Sequence, residues 1–239
     1  MPNTLFLRLE GPLQAWGERA RWSVRDTAPE PTKSGMVGLL ACALGLNTDQ
    51  DLRHLSQQIS IGVRCDQPGT PLVDYHTIGG GYKTPQLLNA EGKPKMSSGK
   101  PHTEQTWRSY LCDASFLVAV QGEPELIARL AGAMQSPHWP IFLGRKSCPP
   151  SRPPFEGVGD YSSPEAALTS WPWQRADAER ATPRVPLTGT AQVRAVVECL
   201  PAEGARRRDE VGSRSHRTFL PRYTREVRLT VTVQPEEAQ

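Results

Sequence analysis

Strand-like and helix-like periodicities alternate along this chain in one particular order, and that order restricts the fold more than any other feature. Thr4 to Leu9 places Leu5, Leu7 and Leu9 on one side and Phe6 and Arg8 on the other, the two-residue period of a strand buried on at least one face. Met36, Val37, Leu39, Leu40, Ala43 and Leu44 follow at helical spacing, with Thr32 or Ser34 available as N-cap and Gly45 as terminator. A second helix is expected over Asp49 to Gln58, with Leu52 and Leu55 on one face. Ile59 to Cys65 alternates again and predicts a strand, and Trp107 to Val120 contains the strongly strand-like run SFLVAV. Leu126, Ile127, Leu130 and Met134 predict a helix over Glu123 to Gln135, and Pro140 to Leu143 reads as a fourth short strand. The order β-α-β-β-α-β predicts an α+β, ferredoxin-like core of the kind used by RNA-recognition modules.

Two stretches exceed that plan. Gln67 to Thr106 is too long for a structureless connection inside a compact domain, carries Gly79, Gly80 and Gly81, and is expected to project as a thumb-like hairpin. Val193 to Leu200 and Val227 to Val233 read as strands of a small C-terminal β appendage. The resulting division is a core over 1–150, with the insertion at 67–106, and an appendage over 151–239 with a basic loop at 201–228. That loop holds eight arginines against four acids, a local excess larger than the net charge of +3 on the whole chain. The positive charge is therefore concentrated.

Composition excludes several classes. No apolar run approaches the roughly 20 residues of a membrane-spanning helix, and the N-terminus lacks the pattern of a secretory signal. A cytoplasmic protein is expected. The five cysteines are odd in number and show no C-x-x-C spacing, so no metal or disulfide is expected, and Cys42, Cys65 and Cys112 read as buried free thiols. No cofactor motif occurs.

Three segments carry candidate chemistry. In Leu143-Gly144-Arg145-Lys146-Ser147-Cys148, the glycine permits close backbone approach to a phosphate and Arg145, Lys146 and Ser147 can donate to its oxygens. Phe142, just before, can stack on a base. The alternative is a solvated basic turn. Gln14, Trp16, Arg19, Arg21, Trp22 and Arg25 interleave basic and aromatic groups, a pattern suited to a single-stranded backbone with stacked bases or to a tryptophan-anchored surface loop. Lys33 and Ser34 begin a helix whose free N–H groups can receive an anion. Arg108 can clamp a phosphate where the insertion returns to the sheet, and Trp107 reads as a core anchor. A metal-independent ribonuclease needs a base, an acid and a cation on one phosphodiester. His76 and His102, with Lys83 or Lys100, are the available candidates.

Six blocks in order, LRLEGPLQAWG, PTKSGMVGLLACALG, VRCD, DYHT, QTWRSYLCDASFLVAV and FLGRKSCP, resemble the CasD family of RAMP-superfamily subunits in the type I-E CRISPR complex Cascade. The resemblance runs from Leu5 to about Pro150. It implies a ferredoxin-like core with a thumb, one copy capping the 5′ handle of the crRNA, and contacts with CasC backbone subunits and the large CasA subunit. Target DNA is then met only indirectly, through the complex and by guide pairing. The blocks carry over Gly144, Arg145, Lys146 and Ser147, together with Arg108, Lys33 and Ser34, as handle-binding positions. The similar type I-C subunit cleaves repeat RNA, whereas type I-E systems assign that step to CasE. A non-catalytic subunit is the expectation, with a metal-independent endoribonuclease for CRISPR repeat RNA as the alternative.

Overall fold

The computed structural model describes residues 1–19, 22–81, 86–174, 189–213, 216 and 218–234. In chain order these form β1 (Thr4–Gln14), β2 (Val24–Arg25), α1 (Lys33–Leu44), α2 (Asp49–Gln58), β3 (Ile59–Gln67), β4 (Thr70–Gly79), β5 (Met96–Ser97) and β6 (Lys100–Pro101). They continue as β7 (Thr103–Gly122), α3 (Pro124–Gln135), β8 (Phe155–Gly159), α4 (Pro164–Ser170), β9 (Trp173–Gln174), β10 (Gly189–Glu198), β11 (Ala205–Ser213) and β12 (Thr218–Gln234). The architecture is mixed α/β, a large and mostly antiparallel sheet flanked by helices. Its strand order is β11-β12-β10-β3-β7-β1-β8, with β2 and β4 pairing with β7 and β9 with β12. Among the described residues, no helix is long and apolar enough to cross a membrane.

The two-residue period of β1 explains the layering. Leu5, Leu7 and Leu9 enter a core shared with Met36, Leu40, Ile127 and Leu130, under α1 and α3. Phe6 points the other way, into a second core with Leu117, Ala195, Val231 and Leu168 of α4. Each fully buried aliphatic chain contributes about 1.5–3 kcal/mol by leaving water. Thr32, not Ser34, caps α1, its hydroxyl accepting from the Gly35 N–H at 3.2 Å. Gly45 ends the helix at φ +74°, where a side chain would be strained.

The second face also buries charge. Arg8 and Arg64 both lie beside Leu117 in the ladder register and share Asp66. Arg8 Nη1 donates to Asp66 Oδ2 at 2.5 Å, and Arg64 Nε donates to Oδ1 at 2.6 Å. Arg64 Nη1 also donates to the Leu168 carbonyl at 2.7 Å, tying α4 to the sheet.

Strand β7 is long enough to serve two purposes. Its second half pairs with β1 and β3 inside the sheet, and its first half pairs with β4 from Thr70↔Cys112 to Gly79↔Thr103. The expected thumb-like arm is thus a hairpin built on the same strand as the core. Gly69, at φ +75°, makes the turn from β3 into it, and a Cβ there would sit 2.7 Å from the Cys112 carbonyl.

Several expectations need correction. β1 runs on to Gln14, through residues read as loop, because Gly11, Leu13 and Gln14 still pair with β7. Pro140 to Leu143 is not a strand. Pro140 has no N–H for a ladder, and the position beside β1 belongs to β8. Among the described residues no separate C-terminal sheet forms, since Ala195, Val196 and Val197 of β10 pair with β3 and extend the main sheet. Within the basic stretch, Ala205–Ser213 and the residues from Thr218 onward are not a loop but strand β11 and the start of β12. Cys42 and Cys112 are half-exposed rather than buried. Cys65 is buried, and burial pushes its thiol up to about 12.

A candidate nucleic-acid groove

The loop after Phe142 is held by its own backbone. Leu143 N–H donates to the Cys148 carbonyl at 2.7 Å, and Cys148 N–H donates to the Arg145 carbonyl at 2.9 Å. Gly144 sits at φ +90°, and a Cβ built there would lie 1.8 Å from the Ala15 carbonyl oxygen. Only glycine allows the loop to press against β1 so closely. Arg145 then fastens three segments together. Its guanidinium donates to the carbonyls of Ser109 (2.9 Å), Arg25 (3.0 Å) and Asp26 (3.1 Å), and lies 4.7 Å from the centroid of the Tyr110 ring.

These contacts frame a crevice of about 370 Å³ whose walls include Trp16, Trp22, Arg25, Ser34, Gly144 and Arg145. Arg25 stands beside Arg108 in the β2–β7 register, and Arg108 Nε donates to Thr106 Oγ1 at 3.3 Å. Lys146 and Ser147 are exposed on the same loop, with Ser147 Oγ 3.5 Å from the Tyr110 hydroxyl, and Phe142 is half-buried. The structure therefore brings together Arg25, Ser34, Gly144 and Arg145, with Arg108 adjoining.

Three expected ligand residues turn out to be parts of the framework. Gln14 is fully buried, donating to the carbonyls of Leu9 (3.0 Å) and Ala114 (2.7 Å) and accepting from Trp16 Nε1 at 3.1 Å. Trp16 is only 1% exposed and packs against Gly35. Trp22, 70% exposed and held by an Nε1 bond to Glu104 at 3.2 Å, offers at the crevice a ring that a base can reach. Lys33 is buried with its ammonium 3.3 Å from Glu198 and 3.0 Å from Glu210. The α1 N-terminus already has its anion, because Lys33 N–H donates to Asp209 Oδ2 at 3.0 Å and Gly35 N–H goes to Thr32. Burial alone would raise the Asp209 carboxyl. Hydrogen bonds and charge from Arg222 outweigh that and hold it below its ordinary value. Arg21 lies outside the described residues.

Sequence reasoning missed Asp26. Its carboxylate accepts from the N–H groups of Glu18 (3.3 Å) and Arg19 (3.0 Å) and folds the loop over the crevice. Trp107, expected in the core, is 41% exposed and lies 5.6 Å from Tyr75 on the hairpin.

His76 and His102 do not converge. His76 contacts Asp74, and His102 lies 3.1 Å from Glu104. That hydrogen bond is the main cause of the lowered Glu104 pKa. His76 is opposite Thr106, whereas the His102 carbonyl accepts from Gly80 N–H, four ladder positions further on. Four strand residues span roughly 13 Å, too far for a base and an acid on one phosphodiester. Lys100 is exposed at the start of β6, and Lys83 is outside the described residues.

The chain matches the model of a family described as CRISPR-associated protein (Cas_Cas5) over residues 4–231. It is 38% identical over 184 residues to the CRISPR system Cascade subunit CasD of Escherichia coli (strain K12), with 72% of this chain and 78% of that one covered. Among solved structures, a chain of a CRISPR RNA-guided surveillance complex superposes with a TM-score of 0.77 at 31% identity, covering 98% of this chain and 95% of that chain. A structure described as a crystal structure of Cas protein gives 0.69 at 33% identity, with 97% and 99% covered.

Proposed function

Because the chain belongs to the Cas5 family of CRISPR-associated proteins, we propose that it is a non-catalytic subunit of a Cascade-type surveillance complex and holds the 5′ handle of the crRNA. The observation that carries this reading is the crevice at the base of the hairpin, where Arg25, Arg145, Gly144, Ser34 and the exposed Trp22 meet. Cations there neutralise phosphates, and the indole supplies a stacking face for a splayed base. Arg108, Lys146, Ser147 and Phe142 extend the same surface. Gln14, Trp16 and Lys33 act behind it, by fixing its walls.

The antiparallel order β8-β1-β7-β3 with α1 and α3 on one face supports a ferredoxin-like reading of the core, whose last strand β8 (Phe155–Gly159) carries it past the expected boundary at 150. The β4–β7 hairpin fits the thumb, placed to close over the strand leaving the crevice. The appendage expected over 151–239 then begins after β8 and is welded to the core through β10. On this reading the chain lies in the cytoplasm, neighbours CasC and CasA, and meets target DNA only through the assembled complex. The separation of His76 from His102 favours binding over cleavage.

Replacing both Arg25 and Lys146 by alanine tests the site. Each lost phosphate contact on a single strand lowers the slope of log affinity against log salt by about 0.7. The double variant should therefore bind handle RNA with a slope shallower by about 1.4. A slope equal to that of the unaltered protein would remove these residues from the interface.

A further inference from the structure

The groove continues beyond the crevice. Past Ser34 and Phe219 it meets a chamber of about 580 Å³ between α1, α2 and the β11–β12 hairpin, walled by Gly38, Leu52, Val211 and Phe219. Past Glu18 and Arg19 it meets a third space of about 1110 Å³, walled by Arg206, Arg207 and Arg208. Phe219 lines all three spaces. The sequence of environments is cationic, apolar, cationic.

The arginines of the far end divide into two groups. Arg207 turns inward, with Nε donating to Glu18 Oε1 at 3.0 Å and Nη1 donating to Glu30 Oε1 at 2.5 Å. Glu30 also takes a bond from Arg194 at 2.8 Å. Glu18, the acid lining the space, is thus paired from within the fold, as is the buried Glu30 behind it. Arg206 and Arg208 are exposed on either side of Arg207 and have no ion pair among the described residues. Arg19 is held through its backbone N–H by Asp26, which leaves its guanidinium uncommitted among the described residues. Basic residues on an edge strand can serve merely to discourage strand pairing. Here, however, they come from two separate segments and converge on one cavity, where Arg207 already pairs with the lining acid Glu18.

We propose that Arg19, Arg206 and Arg208 form a second phosphate-binding subsite for single-stranded RNA, and that the apolar chamber takes one unstacked base between the two cationic ends. The inference rests on the guide-RNA reading above and extends its path across the β11–β12 hairpin. A strand lying this way has phosphates on guanidiniums at both ends and one base against Phe219.

Binding of the full chain to an unstructured single-stranded RNA, followed by fluorescence anisotropy across a salt series, tests this. Arg206→Ala with Arg208→Ala should make the salt slope shallower by about 1.4. Phe219→Ala should weaken binding at every salt concentration with the slope unchanged. Arg206 and Arg208 make no side-chain hydrogen bond or ion pair among the described residues, so the double variant remains folded. A slope unaltered in that variant overturns the second subsite while leaving the crevice intact. A loss seen with duplex DNA alone overturns it in favour of a different ligand. Failure of the unaltered protein to bind RNA at all overturns the underlying reading together with this one.

Discussion

Replacing Asp66 by asparagine should destabilise the protein by about 3–5 kcal/mol, the usual cost of removing one partner from a buried charge cluster. The substitution keeps the shape of the side chain but leaves Arg8 and Arg64, both fully buried, without their shared carboxylate. Denaturant titration followed by circular dichroism measures the effect. A change below 1 kcal/mol would mean that the cluster does not anchor β1, β3 and α4 as described. The same group shapes acid stability. Burial acts to raise the Asp66 carboxyl, and the charges of Arg64 and Arg8 outweigh it and hold it below its ordinary value. A carboxyl lowered in the folded state stabilises above its unfolded value of about 3.9, and that contribution fades as pH falls further towards the folded value. The asparagine variant should lack this part of the acid limb.

Gly144→Ala should have the largest effect within the groove. A Cβ there would lie 1.8 Å from a backbone oxygen, at a φ that alone costs an alanine about 1–2 kcal/mol. Neither Ala15 nor the loop can yield separately, because Ala15 N–H donates to the Leu143 carbonyl at 3.1 Å. The loop must move away from β1 and carry Arg145 from its three carbonyl acceptors. Handle RNA binding should fall at least tenfold, and the melting temperature should drop by several degrees. Normal binding by this variant would show that the loop's position is immaterial to the interface.

How much could be read from the sequence follows from where each residue finds its partner. The start of β1, α1, α2, β3, the second half of β7 and α3 were legible because their inward positions are aliphatic, as in Leu5, Leu7, Leu9 and in Leu126, Ile127, Leu130. Strand β11 was not, because Arg207 and Asp209, two of its inward groups, are charged and are buried through pairing with Glu18, Glu30 and Arg222. An alternation of arginine and acid carries no apolar period. Lys33 shows the same limit at the site. Its backbone partner Asp209 lies 176 positions away, and nothing local separates a lysine committed to buried acids from one offered to phosphate. Gln14 and Trp16 bond to one another instead of to a ligand. The Gly144 loop was legible because a glycine followed by basic residues is a local signature, although Arg145 proved to brace the wall as well as line it. Asp26 was missed because its function is to hold two backbone N–H groups.

The most direct test is to purify the tagged chain with its natural companions, irradiate at 254 nm, and identify the crosslinked peptides and the attached RNA. The account predicts RNA with one uniform 5′ end derived from the CRISPR repeat, crosslinked to peptides containing Trp22 and Phe142. Crosslinks confined to β8 and α4, or RNA of random ends, would contradict it.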